Sequence, residues 1–145
     1  MANELPPAVG IVVVSHSGEL ADATIRLVTR LANLGSDGPR LVAAGGLEDG
    51  SIGTDAVRIA DAVRTADAGS GVVILADLGS AVLSAGTAVD DLMEPELAAR
   101  VAISNGPLVE GTFVAVVQAS AGDGIDGVRA AADDAGSMDK LGERA

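Results

Sequence analysis

VGIVVVSHSG, residues 9–18, decides how the chain is read. An apolar, largely β-branched run stops abruptly at Ser15, His16, Ser17 and Gly18, and a helical pattern follows at once. That pattern is a buried strand feeding a helix through a tight turn, with a histidine at the turn. His16 is the only histidine in the 145 residues. The strand is expected over 9–14 and the helix from about 19 to 34. Leu20, Thr24, Leu27, Val28, Leu31 and Leu34 recur at helical spacing, and Gly35 follows as a stop. Ser17 is a natural N-cap, and Glu19 and Asp22 suit the positive end of the helix dipole.

The same alternation continues downstream. A short strand is expected at 40–44, then the loop GGLEDGSIG (45–53), which holds four glycines and too little periodicity for a regular element. A second helix begins near Thr54 or Asp55, with Val57, Ala60 and Val63 on one face. VVILA at 72–76 is apolar throughout, as a parallel strand covered on both faces should be. It ends at Asp77, and a third helix is expected over about 81–93, with Val82, Ala85, Gly86, Val89 and Leu92 inward and Glu94-Pro95 as its break. A fourth strand lies within 100–104. The segment 108–121 is ambiguous: FVAVV favours a strand, while its length and alanines permit a helix, the reading adopted here. A last helix spans about 125–135. Strands alternating with helices predict a small doubly wound α/β domain of the flavodoxin-like kind, with a mainly parallel sheet in the order 2-1-3-4 and helices on both faces. The expected organisation is a lead-in at 1–8, the domain at 9–136 and a polar tail at 137–145.

Composition narrows the function. A net charge of −12 and a single aromatic residue argue against nucleic acid, whose binders need a basic footprint and often stacking platforms. No cysteine is present, so disulfides, thiol chemistry and Cys-ligated zinc are excluded, and a lone histidine cannot build a His-rich metal site. No metal and no permanently bound cofactor are expected. No apolar run approaches a membrane span, and the first residues lack a secretory signal, so a cytoplasmic protein without membrane insertion is expected.

Ligands of such sheets sit beyond the carboxyl ends of the strands, where strand order reverses. The polar residues gather there: His16 and Ser17 after the first strand, Ser51, Gly53 and Thr54 after the second, Asp77, Gly79 and Ser80 after the third, Ser104 and Asn105 after the fourth. The order 2-1-3-4 sets His16 opposite Asp77. A carboxylate bonded to one ring nitrogen fixes the tautomer and makes the other nitrogen a nucleophile. Helix starts near Ser17, Thr54 and Ser80 offer N–H groups to phosphate oxygens, so Ser17, Gly53, Thr54, Gly79 and Ser80 are candidate phosphate-binding residues. Each feature alone has a plainer reading, as a cap, a turn former or a solvent-facing histidine. Together, at one sheet edge, they suit a histidine that accepts a phosphoryl group and hands it on. A phosphoaspartate receiver, the competing chemistry at Asp77, needs acidic residues after the first strand and a lysine at a later strand end. The first strand ends in Ser15, His16 and Ser17, and the only lysine is Lys140.

VVVSHSGELADA (12–23), GTDAVRIADAV (53–63), VVILADLGSAVLSA (72–85) and NGPLVEG (105–111) resemble the phosphoryl-donor subunits of phosphoenolpyruvate-dependent dihydroxyacetone kinases, within the mannose-type IIA superfamily of the bacterial phosphotransferase system. The resemblance spans roughly 9–135. It implies that His16 is transiently phosphorylated by the phosphocarrier HPr, itself charged by enzyme I from phosphoenolpyruvate. The group then passes to ADP on the kinase subunit, and the ATP formed there phosphorylates dihydroxyacetone. Asp77 would orient His16, and the protein would be a homodimer. Some relatives carry fused HPr-like and enzyme I-like domains, for which this chain is too short. A sugar-specific IIA passing phosphate to a IIB domain, and a non-catalytic flavodoxin-like binding module, are the alternatives.

Overall fold

A computed structural model describes residues 5–142. The elements run β1 (Gly10–Ser15), α1 (Gly18–Leu31), β2 (Leu41–Gly45), α2 (Ala56–Ala66), β3 (Val72–Ala76), α3 (Gly79–Asp91), α4 (Pro95–Ala98), β4 (Val101–Ile103), α5 (Leu108–Ser120) and α6 (Ile125–Asp134), and a 3-10 turn follows at Ala135–Ser137. All pairings are parallel and the order is β2-β1-β3-β4, as the sequence predicts. Because successive strand side chains point to opposite faces, each strand feeds two cores. Val12, Val14, Ile74 and Ala76 pack with Ile59, Val63, Ala81 and Ala85 of α2 and α3. Ile11, Val73 and Leu75 pack with Val28, Ala115, Val116, Val128 and Ala132 of α1, α5 and α6. The helices present mostly alanine and valine to the sheet, which explains how a chain with one aromatic residue fills both layers. The ambiguous segment is helix α5; it buries Gly111, Thr112, Ala115, Val116 and Ala119, a helical repeat of small residues.

Several local expectations are corrected. Helix α1 stops at Leu31, before the expected Gly35, because Asn33 takes the left-handed conformation (φ 51°). The Asn33 N–H bonds the Arg30 carbonyl and the Leu34 N–H reaches back to Thr29, the paired arrangement of a Schellman ending. Its buried face is Ala21, Thr24 and Val28, whereas Leu20, Leu27 and Leu31 are exposed. Thr24 enters the core because its hydroxyl donates to the Leu20 carbonyl at 2.8 Å. Val57 and Val82 likewise face outward. Pro95 opens the short helix α4 rather than merely ending α3, since its fixed φ and missing N–H suit a first helical position. In the tail, Lys140 pairs with Glu110 of α5. Residues 1–4 of the lead-in and 143–145 of the tail lie outside the described residues.

One close approach holds the turn after β1 against β2. A Cβ built on Gly45 would lie 2.6 Å from the Ser17 carbonyl oxygen and 2.8 Å from the Gly18 Cα. Both are backbone atoms and cannot rotate away. Gly45→Ala is therefore expected to destabilise the domain by about 1–3 kcal/mol, the range for overpacking, as read by urea denaturation.

Candidate functional site

His16 and Asp77 meet at the carboxyl ends of the central strands β1 and β3. Val14 pairs in register with Ala76, so the residues that leave the two strands next are neighbours. The His16 ring Nδ1 lies 2.8 Å from Asp77 Oδ1, and the His16 backbone N–H donates to Asp77 Oδ2 at 3.0 Å. The Leu78 N–H donates to Oδ1 at 2.7 Å and the Ser15 hydroxyl to Oδ2 at 2.8 Å. Each carboxylate oxygen thus accepts two hydrogen bonds. Burial opposes ionisation of Asp77, but the His16 N–H, the His16 ring, the Ser15 hydroxyl and the Leu78 N–H together hold its carboxyl below the ordinary value of 3.8. An ionised carboxylate is acceptor-only, so His16 carries its proton on Nδ1 and turns the Nε2 lone pair outward. The side chains of His16 and Asp77 are 22% and 12% exposed.

Nε2 faces the start of α3, with the Ser80 hydroxyl oxygen 2.5 Å away. Gly79 and Ser80 are the first residues of that helix, where N–H groups have no intrahelical acceptor. The starts of α1 and α2 at this edge differ. Ser17 caps α1 by accepting from the Leu20 N–H, and Asp55 caps α2 by accepting from Val57 and Arg58, whereas no side chain caps α3.

The remaining predicted site residues stand beside the histidine in other ways. The Gly53 N–H donates to the His16 carbonyl at 2.9 Å and so pins the turn from the glycine loop. The Thr54 hydroxyl shares a 2.7 Å hydrogen bond with Ser84 of α3, tying that loop to the helix whose start faces Nε2. The Ser17 hydroxyl is engaged in the α1 cap and the Ser17 N–H in a 3.0 Å bond to Ser15 Oγ. Ser104 and Asn105 lie farther along the edge, joined to Asp133 through the Ser104 hydroxyl and the Asn105 N–H. Sequence reasoning missed Ser15 and the backbone N–H groups of Leu78 and Gly53. Among the described residues no group of three His, Asp or Glu comes together as a metal ion would need. None of the helices described is long and apolar enough to cross a membrane.

The family model EIIA-man, described as the PTS system fructose IIA component, matches residues 10–129. The chain belongs to the EIIA-man family. This EIIA-man domain is 41% identical over 122 residues to "PEP-dependent dihydroxyacetone kinase, phosphoryl donor subunit DhaM" of Klebsiella michiganensis; the match covers 83% of the domain's chain but only 25% of that relative. It is 37% identical over 110 residues to "PEP-dependent dihydroxyacetone kinase 2, phosphoryl donor subunit DhaM" of Listeria innocua, covering 76% of the chain and 85% of that relative. Among solved structures, a protein of unknown function, EF1359, superposes with a TM-score of 0.77 at 31% identity, covering 94% of this chain and 99% of its own.

Asp77 has a folded-state pKa below its unfolded value, so its contribution to stability is complete above about pH 4 and is lost as pH falls through the folded value. Asp77→Asn is expected to flatten the acid limb of stability against pH below about pH 4, measured by urea midpoints across pH. The part contributed by Asp67, whose carboxyl is held low chiefly by its hydrogen bonds from Arg100, should remain.

Proposed function

We propose that this EIIA-man domain is a phosphohistidine carrier that takes a phosphoryl group from phospho-HPr on His16 and passes it to ADP bound on the kinase subunit of a dihydroxyacetone kinase. The observation that carries the reading is the alignment of three groups: Asp77 on Nδ1, the imidazole, and Ser80 at the open start of α3 on Nε2. The names of the Klebsiella and Listeria relatives support the acceptor and the substrate, dihydroxyacetone, and with them a phosphoenolpyruvate–glycerone phosphotransferase system.

The chemistry follows from the geometry. The Nε2 lone pair attacks phosphorus as the donor's P–N bond breaks, and the electron pair of that bond returns to the donor. His16 keeps its Nδ1 proton and becomes a cationic phosphoimidazole, whose charge is offset by the Asp77 carboxylate. The Ser80 hydroxyl and the N–H groups of Gly79 and Ser80 then face the phosphoryl oxygens, where the helix dipole favours negative charge. Transfer onward is the reverse: a terminal phosphate oxygen of ADP attacks phosphorus and the Nε2–P bond breaks. No permanent cofactor takes part, only the transient phosphoryl group on His16. Ser17, Gly53 and Thr54 serve this site by holding the turn, the cap and the loop rather than by touching phosphate.

The setting suits a protein partner. Ile52, Leu78 and Leu83, on the loop and helix next to His16, are exposed apolar side chains at the same edge. HPr and the kinase subunit would use this surface in turn, in the cytoplasm. The homodimer implied by the resemblance belongs to the same reading. The wording of the family model favours one alternative, a sugar-specific IIA that hands phosphate to a IIB domain.

Incubation with phosphoenolpyruvate, enzyme I and HPr should add one acid-labile phosphate by intact mass, absent from His16→Ala. A folded wild type that takes no phosphate from cognate carriers would sink the proposal. Discharge by the ADP-loaded kinase subunit and not by a IIB domain selects between the two acceptors. Asp77→Ala is expected to slow phosphorylation about 10- to 100-fold without abolishing it, the range for losing an orienting partner.

A further inference from the structure

We infer that Ser15 is a positioning residue for the His16–Asp77 pair: its hydroxyl fixes the carboxylate that fixes the imidazole tautomer. The inference rests on the phosphohistidine reading for its consequence in transfer, but its geometry stands in the unphosphorylated protein.

Ser15 closes β1 and is fully buried, one of four buried polar residues among those described. A buried hydroxyl must be hydrogen-bonded, and water does not reach this one to substitute. Its oxygen accepts the Ser17 N–H at 3.0 Å, and it lies 2.8 Å from Asp77 Oδ2. With the oxygen occupied by that N–H, the hydroxyl proton is aimed at the carboxylate. The rotor is therefore locked from one side by the α1 cap residue and from the other by Asp77.

The other three donors to Asp77 cannot supply this. The Leu78 N–H belongs to the residue next to Asp77, and the remaining two come from His16 itself, whose orientation is the thing to be fixed. Ser15 is the one side-chain donor other than the imidazole, and its backbone is fixed in the buried strand β1. Remove it, and Oδ2 keeps only the His16 N–H, so the carboxylate loses one of its four restraints and turns more readily out of the plane that meets Nδ1. The imidazole then samples its Nε2–H tautomer, in which the nitrogen facing Ser80 has no lone pair to attack phosphorus.

Because His16 is the only histidine, uniform ¹⁵N-histidine labelling reports this one ring. The wild type is expected to show the Nδ1–H tautomer near neutral pH. Ser15→Ala should bring in a second population with the proton on Nε2 and slow phosphorylation by HPr about tenfold, as loss of an orienting partner does. A volume-matched pair isolates the hydroxyl: Ser15→Thr should retain the wild-type spectrum and rate, and Ser15→Val should reproduce the alanine result. Valine suits a buried strand, so this variant keeps the test open if alanine does not fold. Unchanged tautomer populations in both hydroxyl-less variants, or a lowered melting temperature alone, would overturn the inference. A wild type that holds the Nδ1–H tautomer and loses it in Ser15→Val, yet accepts no phosphate, would leave this inference standing and overturn the carrier function instead.

Discussion

The site depends on solvating a carboxylate without a cation. Asp77 is mostly buried, and among the described residues no arginine or lysine bonds it; its charge is carried there by four hydrogen-bond donors on two adjoining strand ends. Two of the four are backbone N–H groups, which hold position only while β1 and β3 stay in register. The charge therefore ties the chemistry to the sheet. Asp67, at the opposite end of β3, shows the other solution: Arg100 bonds both of its oxygens. That arrangement suits a staple. A guanidinium on Asp77 would satisfy the carboxylate and leave the imidazole without its anchor.

The glycine loop and the small residues of α1 serve the same end. Gly45 lets the Ser17–Gly18 backbone lie against β2, and Gly53 reaches the His16 carbonyl. The backbone of His16 is then held at its N–H by Asp77 and at its carbonyl by Gly53, while the ring is held at both nitrogens. A nucleophile held at so many points loses little entropy on reaching the reactive geometry, which is the advantage of building a site on strand ends rather than on a free loop.

How much of this is legible in the sequence depends on the kind of interaction. The sheet order and the His16–Asp77 meeting are legible, because each residue closes an apolar run and parallel α/β topology brings such run ends together. Ser15 is not, since a serine at a strand end reads equally well as part of the turn, and only the structure shows it buried. The role of Gly53 is a backbone contact and has no side-chain signal. On α1, hydropathy selects Leu20, Leu27 and Leu31, yet the sheet takes Ala21, Thr24 and Val28, because close packing rewards small residues that a periodicity count overlooks. The end of α1 is missed for a related reason: asparagine at position 33 does what glycine is expected to do two residues later.

The helix starts separate structure from chemistry at this edge. Ser17 and Asp55 close α1 and α2 with their own side chains, and Asp55 sets a negative charge where an incoming phosphate would meet repulsion. Helix α3 begins at Gly79 after Leu78, which gives it no side-chain cap, and its first turn sets the Ser80 hydroxyl against Nε2. An uncapped helix start costs about 1 kcal/mol of stability relative to one with a good cap. Leaving that one open beside the histidine is what a transient anion requires: donors that are organised before it arrives and free again when it leaves.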